Sequence, residues 1–274
     1  MARVTKRPLA RVLVERGLFD SGDEARRWIM SGQIFVAGQR VDKAGAAVHV
    51  DAIIEIRGRS RYASRGGYKL AAALDHFDVD VAGRTALDCG ASTGGFTDCL
   101  VQRGASLVYA VDVGHGQLLG RLRADPRVRT MERTNLADLG PATFDPLPAL
   151  ATLDLSYLSL TKALPLVAPL LARDADVLAL MKPLFEVDDA RARRTGVVQD
   201  VDLVVDALRR VVETAGMIGM RTRGVAKLAL QPRHGVSEFF VYMDRAGAPA
   251  CSFDDEALAA IATSPGIGPT DEPA

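Results

Sequence analysis

The chain is short of several things. Among 274 residues it has three cysteines, Cys89, Cys99 and Cys251, an odd number with no CxxC pair. That argues against a disulfide framework and a cysteine-based zinc site, and makes a reducing cytoplasm the default. No apolar run approaches the roughly 20 residues that a membrane helix needs. The start, Met1-Ala-Arg-Val-Thr-Lys-Arg, has basic residues with no uninterrupted apolar stretch behind them, so no secretory signal is expected. Net charge is absent too, since 34 Lys and Arg balance 34 Asp and Glu. What remains is ordinary. With 48% hydrophobic and 25% charged residues, a chain of this length forms one large or two smaller globular domains and buries its apolar surface without disulfides.

The zero net charge hides an asymmetry. Residues 1–66 carry 13 Lys and Arg against 7 Asp and Glu, and the rest carry 21 against 27. A small basic module joined to a larger acidic body reads as an arm that meets a polyanion; a chance fluctuation on a solvated surface is the alternative. Arginine outnumbers lysine 28 to 6, which reflects a coding bias and singles out each lysine.

The first 60 residues read as a small α+β unit. Pro8 to Arg16 sets Leu9, Val12 and Leu13 on one helical face, with Gly17 as a stop. Ser21-Gly-Asp-Glu24 is a capping box for a second helix carrying Ala25, Trp28 and Ile29, which Gly32 ends. Ile34 to Val36, a Gly38-Gln39 turn and Val41 make a hairpin pattern, and Val48 to Ile56 reads as one further strand. Leu13-Val-Glu-Arg-Gly-Leu, Ser21-x-x-Glu-Ala-Arg-Arg-Trp-Ile-Met-Ser-Gly and Val36-Ala-Gly-Gln-Arg-Val-Asp-Lys resemble an S4 RNA-binding domain over residues 5–58. The resemblance implies phosphate contacts from Arg26, Arg27, Arg40 and Lys43, which position RNA without reading its sequence. A solvated helix face is the plainer alternative. The basic stretch around Arg61 and Arg65, up to Gly67, reads as a linker whose arginines also reach RNA.

From residue 68 strand and helix patterns alternate. A helix is expected over Tyr68–Phe77, and strands over Thr85–Asp88, Leu107–Asp112, Arg127–Met131, Ala149–Asp154 and Asp176–Met181. An amphipathic helix over Val201–Ala215 and late strands over Met217–Leu230 and Ser237–Met243 complete the domain. Such alternation predicts a parallel sheet covered on both faces. Residues 246–274, with one short helical stretch at Asp254–Ala262, read as a loosely held tail.

Asp88-Cys-Gly-Ala-Ser-Thr-Gly-Gly-Phe-Thr97 follows a strand and opens a helix. Glycine there lets backbone approach a ligand at the strand's carboxyl end. Asp112 ends the next strand, where a carboxylate can accept from ribose hydroxyls. The pattern is neither a dinucleotide fingerprint nor a triphosphate loop, so a nucleoside without phosphates fits better; a ligand-free tight turn is the alternative. The segment resembles the first motif of S-adenosylmethionine-dependent methyltransferases of the RrmJ/FtsJ class. Tyr62-Ala-Ser-Arg-Gly-Gly-Tyr-Lys-Leu, Val111-Asp-Val-Gly-His-Gly-Gln-Leu, Glu132-Arg-Thr-Asn, Asp154-Leu-Ser-Tyr-Leu-Ser-Leu and Lys182-Pro-Leu-Phe-Glu narrow the resemblance to the TlyA family over residues 5–243. These are ribosomal RNA 2′-O-methyltransferases, sometimes labelled hemolysin A.

The resemblance implies an α/β fold: a Rossmann-like methyltransferase sheet (68–245) behind a small α+β S4 domain (1–60), a linker (61–67) and a tail (246–274). It implies S-adenosyl-L-methionine as cofactor, ribosomal RNA or ribosomal subunits as partner, no metal and no membrane. Asp88, Gly90, Ser92, Thr93, Gly94, Gly95 and Phe96 would form the cofactor loop. Asp112 would hold the ribose, with His115 a candidate contact beside it, and Asn135 would lie near the adenine. Ala63 departs from the commoner valine, which weakens the family's linker role here.

Asp154 and Lys182 each close an apolar strand, 28 residues apart, which is enough for one right-handed crossover. Buried charges of this kind are costly unless paired, and a structural salt bridge is the alternative to a chemical role. With Lys69 and Glu238 they match, in order, the family's Lys-Asp-Lys-Glu tetrad. A ribose hydroxyl is a weak nucleophile, so the enzyme must align it and help remove one proton. A lysine in a low-dielectric pocket can serve as base or stabilise the alkoxide; Lys182 takes that role, Asp154 orients it, and Lys69 and Glu238 position the ribose. Phe185-Glu186 would shape the target pocket. Trp28 belongs to the S4 core, and His49, His76 and His234 read as structural or surface residues. Two rivals stand beside this reading: a non-catalytic RNA-binding or ribosome-assembly factor, and a hemolysin.

Overall fold

A computed structural model describes residues 6–19, 21–58, 60–229, 237–245 and 251–268. The chain divides into two compact units at Arg61/Tyr62. His234 and Val236 lie outside the described residues.

The small unit runs β1 (Lys6–Pro8), α1 (Leu9–Glu15), α2 (Gly22–Met30), β2 (Ile34–Val36), β3 (Gln39–Arg40), β4 (Ala47–His49) and β5 (Ile54–Ile56). Ser21 caps α2 as its sequence demands, its hydroxyl accepting from the Glu24 amide at 3.2 Å. Leu9, Val12, Leu13, Ala25, Ile29 and Ile34 are fully buried between helices and strands. Trp28 packs 5.9 Å from Phe19 at the edge of that core. The single strand expected over residues 48–56 is two. The Ala52 amide closes a turn on His49, so β4 pairs with β1 while β5 pairs with β2, both antiparallel.

The larger unit runs α3 (Gly66–Phe77), β6 (Thr85–Cys89), α4 (Gly95–Gln102), β7 (Leu107–Val111), α5 (Gly120–Arg123), β8 (Val128–Met131), β9 (Leu150–Leu153), α6 (Leu160–Val167), β10 (Asp176–Met181), α7 (Pro183–Glu186), α8 (Ala190–Thr195), α9 (Val201–Met217), β11 (Arg221–Lys227), β12 (Phe239–Asp244) and α10 (Asp255–Thr263). Its seven strands lie in the order β11-β12-β10-β9-β6-β7-β8. β6 to β10 pair in parallel, and all but the edge strand β8 are buried almost throughout, the composition expected of strands covered on both faces. β12 departs from the parallel expectation and runs antiparallel to both β10 and β11. Only 11 residues (228–238) separate it from β11, fewer than the dozen or more that a parallel crossover needs, so the two strands reverse direction. On one face α9 buries Val204, Val205, Ala207, Leu208, Val211 and Ala215, a helical stripe. On the other, α3 and α4 bury Leu70, Leu74 and Leu100.

Two boundaries differ from those read in the sequence. Tyr62, expected in a linker, is 2% exposed and belongs to the larger unit, and α3 already begins at Gly66. The tail is not loose over 251–268: α10 packs on α9 with Leu258 fully buried, the Ala229 amide donates to the Ile267 carbonyl, and the Ile267 amide donates to the Lys227 carbonyl.

Candidate active site

The order of the parallel strands reverses beside β6, between β9 and β7. Open sheets bind ligands at such a point, outside the carboxyl ends of the strands. There the chain places Gly90 after β6, Asp112 after β7, Asp154 after β9 and Lys182 after β10.

The loop after β6 is shaped by backbone that only certain residues tolerate. Gly90 stands at φ +88°, and a Cβ there would lie 2.5 Å from the Asp154 carbonyl oxygen. Gly94, at φ +98°, caps α4 and leaves no room for a side chain against Leu122. Between them Ser92 adopts φ +48°, a conformation held by its neighbours. Its amide donates to Asp112 Oδ2 at 2.7 Å, and the Gly114 amide donates to Oδ1 at 2.6 Å. Each carboxylate oxygen of Asp112 still has a lone pair for a ligand hydroxyl.

Asp88 lies beneath this loop. It is fully buried, with Thr97 Oγ1 donating at 2.6 Å and Thr152 Oγ1 at 3.0 Å. Burial pushes its carboxyl up to about 7 against the pull of the two hydroxyls. It supports the loop from below and lines neither of the two clefts above it.

The first cleft, about 420 Å³, is lined by Val111, Asp112, Gly114, Asn135, Leu136 and Leu155 among others. The second, about 260 Å³, is lined by Ser64, Arg65, Gly66, Lys69, Thr93, Gly95 and Phe96 among others. Gly90, Ser92 and Asp154 belong to both. Phe96 is stacked 6.0 Å from Phe240, which fixes the floor of the second cleft. His115 is exposed and lines neither cleft.

Four partly buried charges form two ion pairs. Lys182 Nζ stands 2.5 Å from Asp154 Oδ1 and donates to the Leu155 carbonyl at 3.1 Å. Lys69 Nζ stands 2.5 Å from Glu238 Oε2. Asp154 and Lys69 line the same cleft, so the structure brings the four expected catalytic residues together as pairs. Pairing answers the cost of burying each charge.

Several positioning residues were not legible as such. The Glu132 carboxylate takes the backbone amides of Gly116, Gln117 and Leu118, which hold it below its usual range and fix the loop beside Asp112. Buried Asp98 takes the Ala63 amide at 2.8 Å and both arms of Arg121. Glu186 Oε1 accepts from the Leu160 amide at 2.6 Å, capping α6 from α7, and burial pushes its carboxyl up. The only available sign was an acid in a strand-end or helical segment, which usually marks a solvated face.

In the small unit Arg26, Arg27, Arg40 and Lys43 are all exposed. Arg26 pairs with Asp23 on its own helix at 2.7 Å, and the Arg40 guanidinium occupies the space a Cβ on Gly32 would need. Arg61 is exposed, and Arg65 lines the second cleft.

A mostly parallel sheet with a glycine loop after its central strand, an acid after the next and two clefts meeting between them is the fold and site of a nucleoside-binding α/β protein. The sequence matches the FtsJ-like methyltransferase family over residues 62–245 and the S4 domain family over residues 7–54. It is 40% identical to the Mycobacterium tuberculosis 16S/23S rRNA (cytidine-2′-O)-methyltransferase TlyA, covering 84% of this chain and 87% of that one. It is 37% identical to Hemolysin A of Brachyspira hyodysenteriae over 67% of this chain and 77% of that one. A solved structure from Streptococcus thermophilus, provisionally named a hemolysin, shares 34% identity and a TM-score of 0.68 over 95% of each chain. The chain therefore belongs to the FtsJ-like methyltransferases, in the branch that carries an S4 domain and includes these relatives.

Its cofactor is S-adenosyl-L-methionine, and the residues present fit it. The first cleft offers apolar walls and the spare lone pairs of Asp112 to a nucleoside, and Gly90 lets backbone approach it without a side chain.

Proposed function

We propose that the protein is a ribosomal RNA 2′-O-methyltransferase acting on the ribose of a cytidine in the cytoplasm. The observation that carries this reading is Asp154, which lines both clefts and holds Lys182 behind it at 2.5 Å. The printed activity of the Mycobacterium tuberculosis relative and the S4 match support it.

The cofactor, when bound, supplies a methyl group on a sulfonium that needs no further activation. Asp112 and Asn135 hold the nucleoside in the first cleft. Lys182 Nζ, kept in place by Asp154 Oδ1 and the Leu155 carbonyl, donates to the oxygen of the substrate hydroxyl and stabilises the alkoxide that forms as the hydroxyl proton leaves to solvent. Asp154 keeps that amine aimed. Lys69, held by Glu238, donates to the ribose of the incoming nucleotide and fixes its angle. Positioning and stabilisation of the alkoxide together account for the catalysis this chain supplies. Arg26, Arg27, Arg40, Lys43 and Arg61 contact RNA phosphates.

The test is transfer of label from radioactive S-adenosylmethionine to naked ribosomal RNA and to isolated small and large subunits. Label in RNA from the wild-type protein, abolished in Lys182→Ala, is the expected result. Absence of label on every substrate, with cofactor binding intact, would favour a non-catalytic RNA-binding factor.

No helix among the described residues is long and apolar enough to cross a membrane.

A further inference from the structure

We infer that Arg65 binds the carboxylate of the cofactor's methionyl tail. This rests on the cofactor assignment above and adds a residue that the sequence reading gave to RNA.

The cofactor has a nucleoside at one end and an amino acid, bearing its only anion, at the other. A nucleoside in the cleft of Asp112 and Asn135 directs the rest of the molecule past Gly90, Ser92 and Asp154, since those residues line both clefts. The far wall of the second cleft is Ser64, Arg65, Gly66 and Lys69.

Charge decides which of these meets the anion. Lys69 is neutralised by Glu238, and Asp154 by Lys182. Arg65 forms no ion pair with any described residue, so it is the cation of that wall still open to a carboxylate. A guanidinium presents a planar fork that matches a carboxylate with two parallel bonds.

The wall is also held still. The Ala63 amide is fixed on buried Asp98 at 2.8 Å, and Asp98 is clamped by Arg121. The Gly66 amide donates to Ser64 Oγ at 3.3 Å. A Cβ on Gly95 would fall 2.2 Å from that same oxygen, so the segment lies directly on the cofactor loop. The backbone that carries Arg65 is therefore fixed before a ligand arrives, and only the side chain has freedom left to lose.

The test compares two ligands by titration calorimetry on the full-length protein. S-adenosylhomocysteine has the amino-acid tail, and 5′-deoxy-5′-methylthioadenosine has the nucleoside and sulfur without it. Wild type should bind both. Arg65→Ala should lose roughly tenfold or more in affinity for S-adenosylhomocysteine, the scale of one charge-assisted contact, and keep its affinity for methylthioadenosine. Arg65→Lys should recover part of the loss. Equal losses for both ligands, or no loss for either, would overturn the inference. If Arg65→Ala binds S-adenosylhomocysteine as wild type does and loses affinity for ribosomal RNA, the side chain serves RNA phosphates instead. A wild-type protein that bound neither ligand would instead defeat the cofactor assignment itself.

Discussion

Replacing Asp98 with alanine should weaken the larger unit and loosen its cofactor site together. The Asp98 side chain is 2% exposed and accepts from the Ala63 amide, from Gln102 at 3.0 Å and from both arms of Arg121. Removing one partner of a buried ion pair costs about 3–5 kcal/mol. Arg121 keeps 33% exposure, so its freed guanidinium regains water and draws the cost to the lower end. The lost amide bond adds about 1 kcal/mol. A total near 4 kcal/mol lowers the melting temperature of a domain this size by roughly 8–16 °C. Thermal unfolding followed by circular dichroism reads the first effect, and S-adenosylhomocysteine affinity reads the second, because the strip from Ala63 to Gly66 loses its anchor. A melting temperature within about 2 °C of wild type would refute the assignment of Asp98 as the clasp.

Other consequences are simpler. Gly90→Ala places a Cβ against the Asp154 carbonyl in left-handed backbone, so it should cost about 1–2 kcal/mol from the backbone alone and lower cofactor affinity; an unchanged affinity would contradict the close approach. Asp88 has its folded-state pKa raised from 3.8 to about 7. Its contribution is present below pH 3.8 and is lost as pH rises to about 7. The stability of wild type relative to Asp88→Asn, measured by denaturant titration at pH 5 and pH 8, should therefore fall by a few kcal/mol; a difference independent of pH would show that burial does not hold that proton. Cys89 and Cys99 are buried and Cys251 is exposed, so one thiol of the native protein should react rapidly with a thiol reagent and all three after unfolding.

Much of the fold was legible because periodicity and strand ends are local. Asp176–Met181 was read to the residue, and the strand-end acids and lysines were found because a charge closing an apolar run is conspicuous. The direction of β12 was not, since it depends on which neighbours pair. The break between β4 and β5 was hidden in Val48-His-Val-Asp-Ala, where the turn is set by a backbone bond from Ala52 to His49. Within the site, Asp88 read as a ligand contact because it opens the motif, yet the structure sets it beneath the loop with Thr97 and Thr152. Asp98 and Glu132 hold backbone amides from elsewhere in the chain, and sequence spacing carries no trace of such contacts.

The central claim is that the methyl group goes to a ribose oxygen by way of Lys182. Its most direct test is mass spectrometry of nucleosides from ribosomal RNA treated with the protein and S-adenosylmethionine. The account predicts 2′-O-methylcytidine with wild type, and with Lys182→Ala a rate lower by about 10²–10⁴-fold despite intact cofactor binding. A base-methylated nucleoside, or Lys182→Ala working at the wild-type rate, would contradict it.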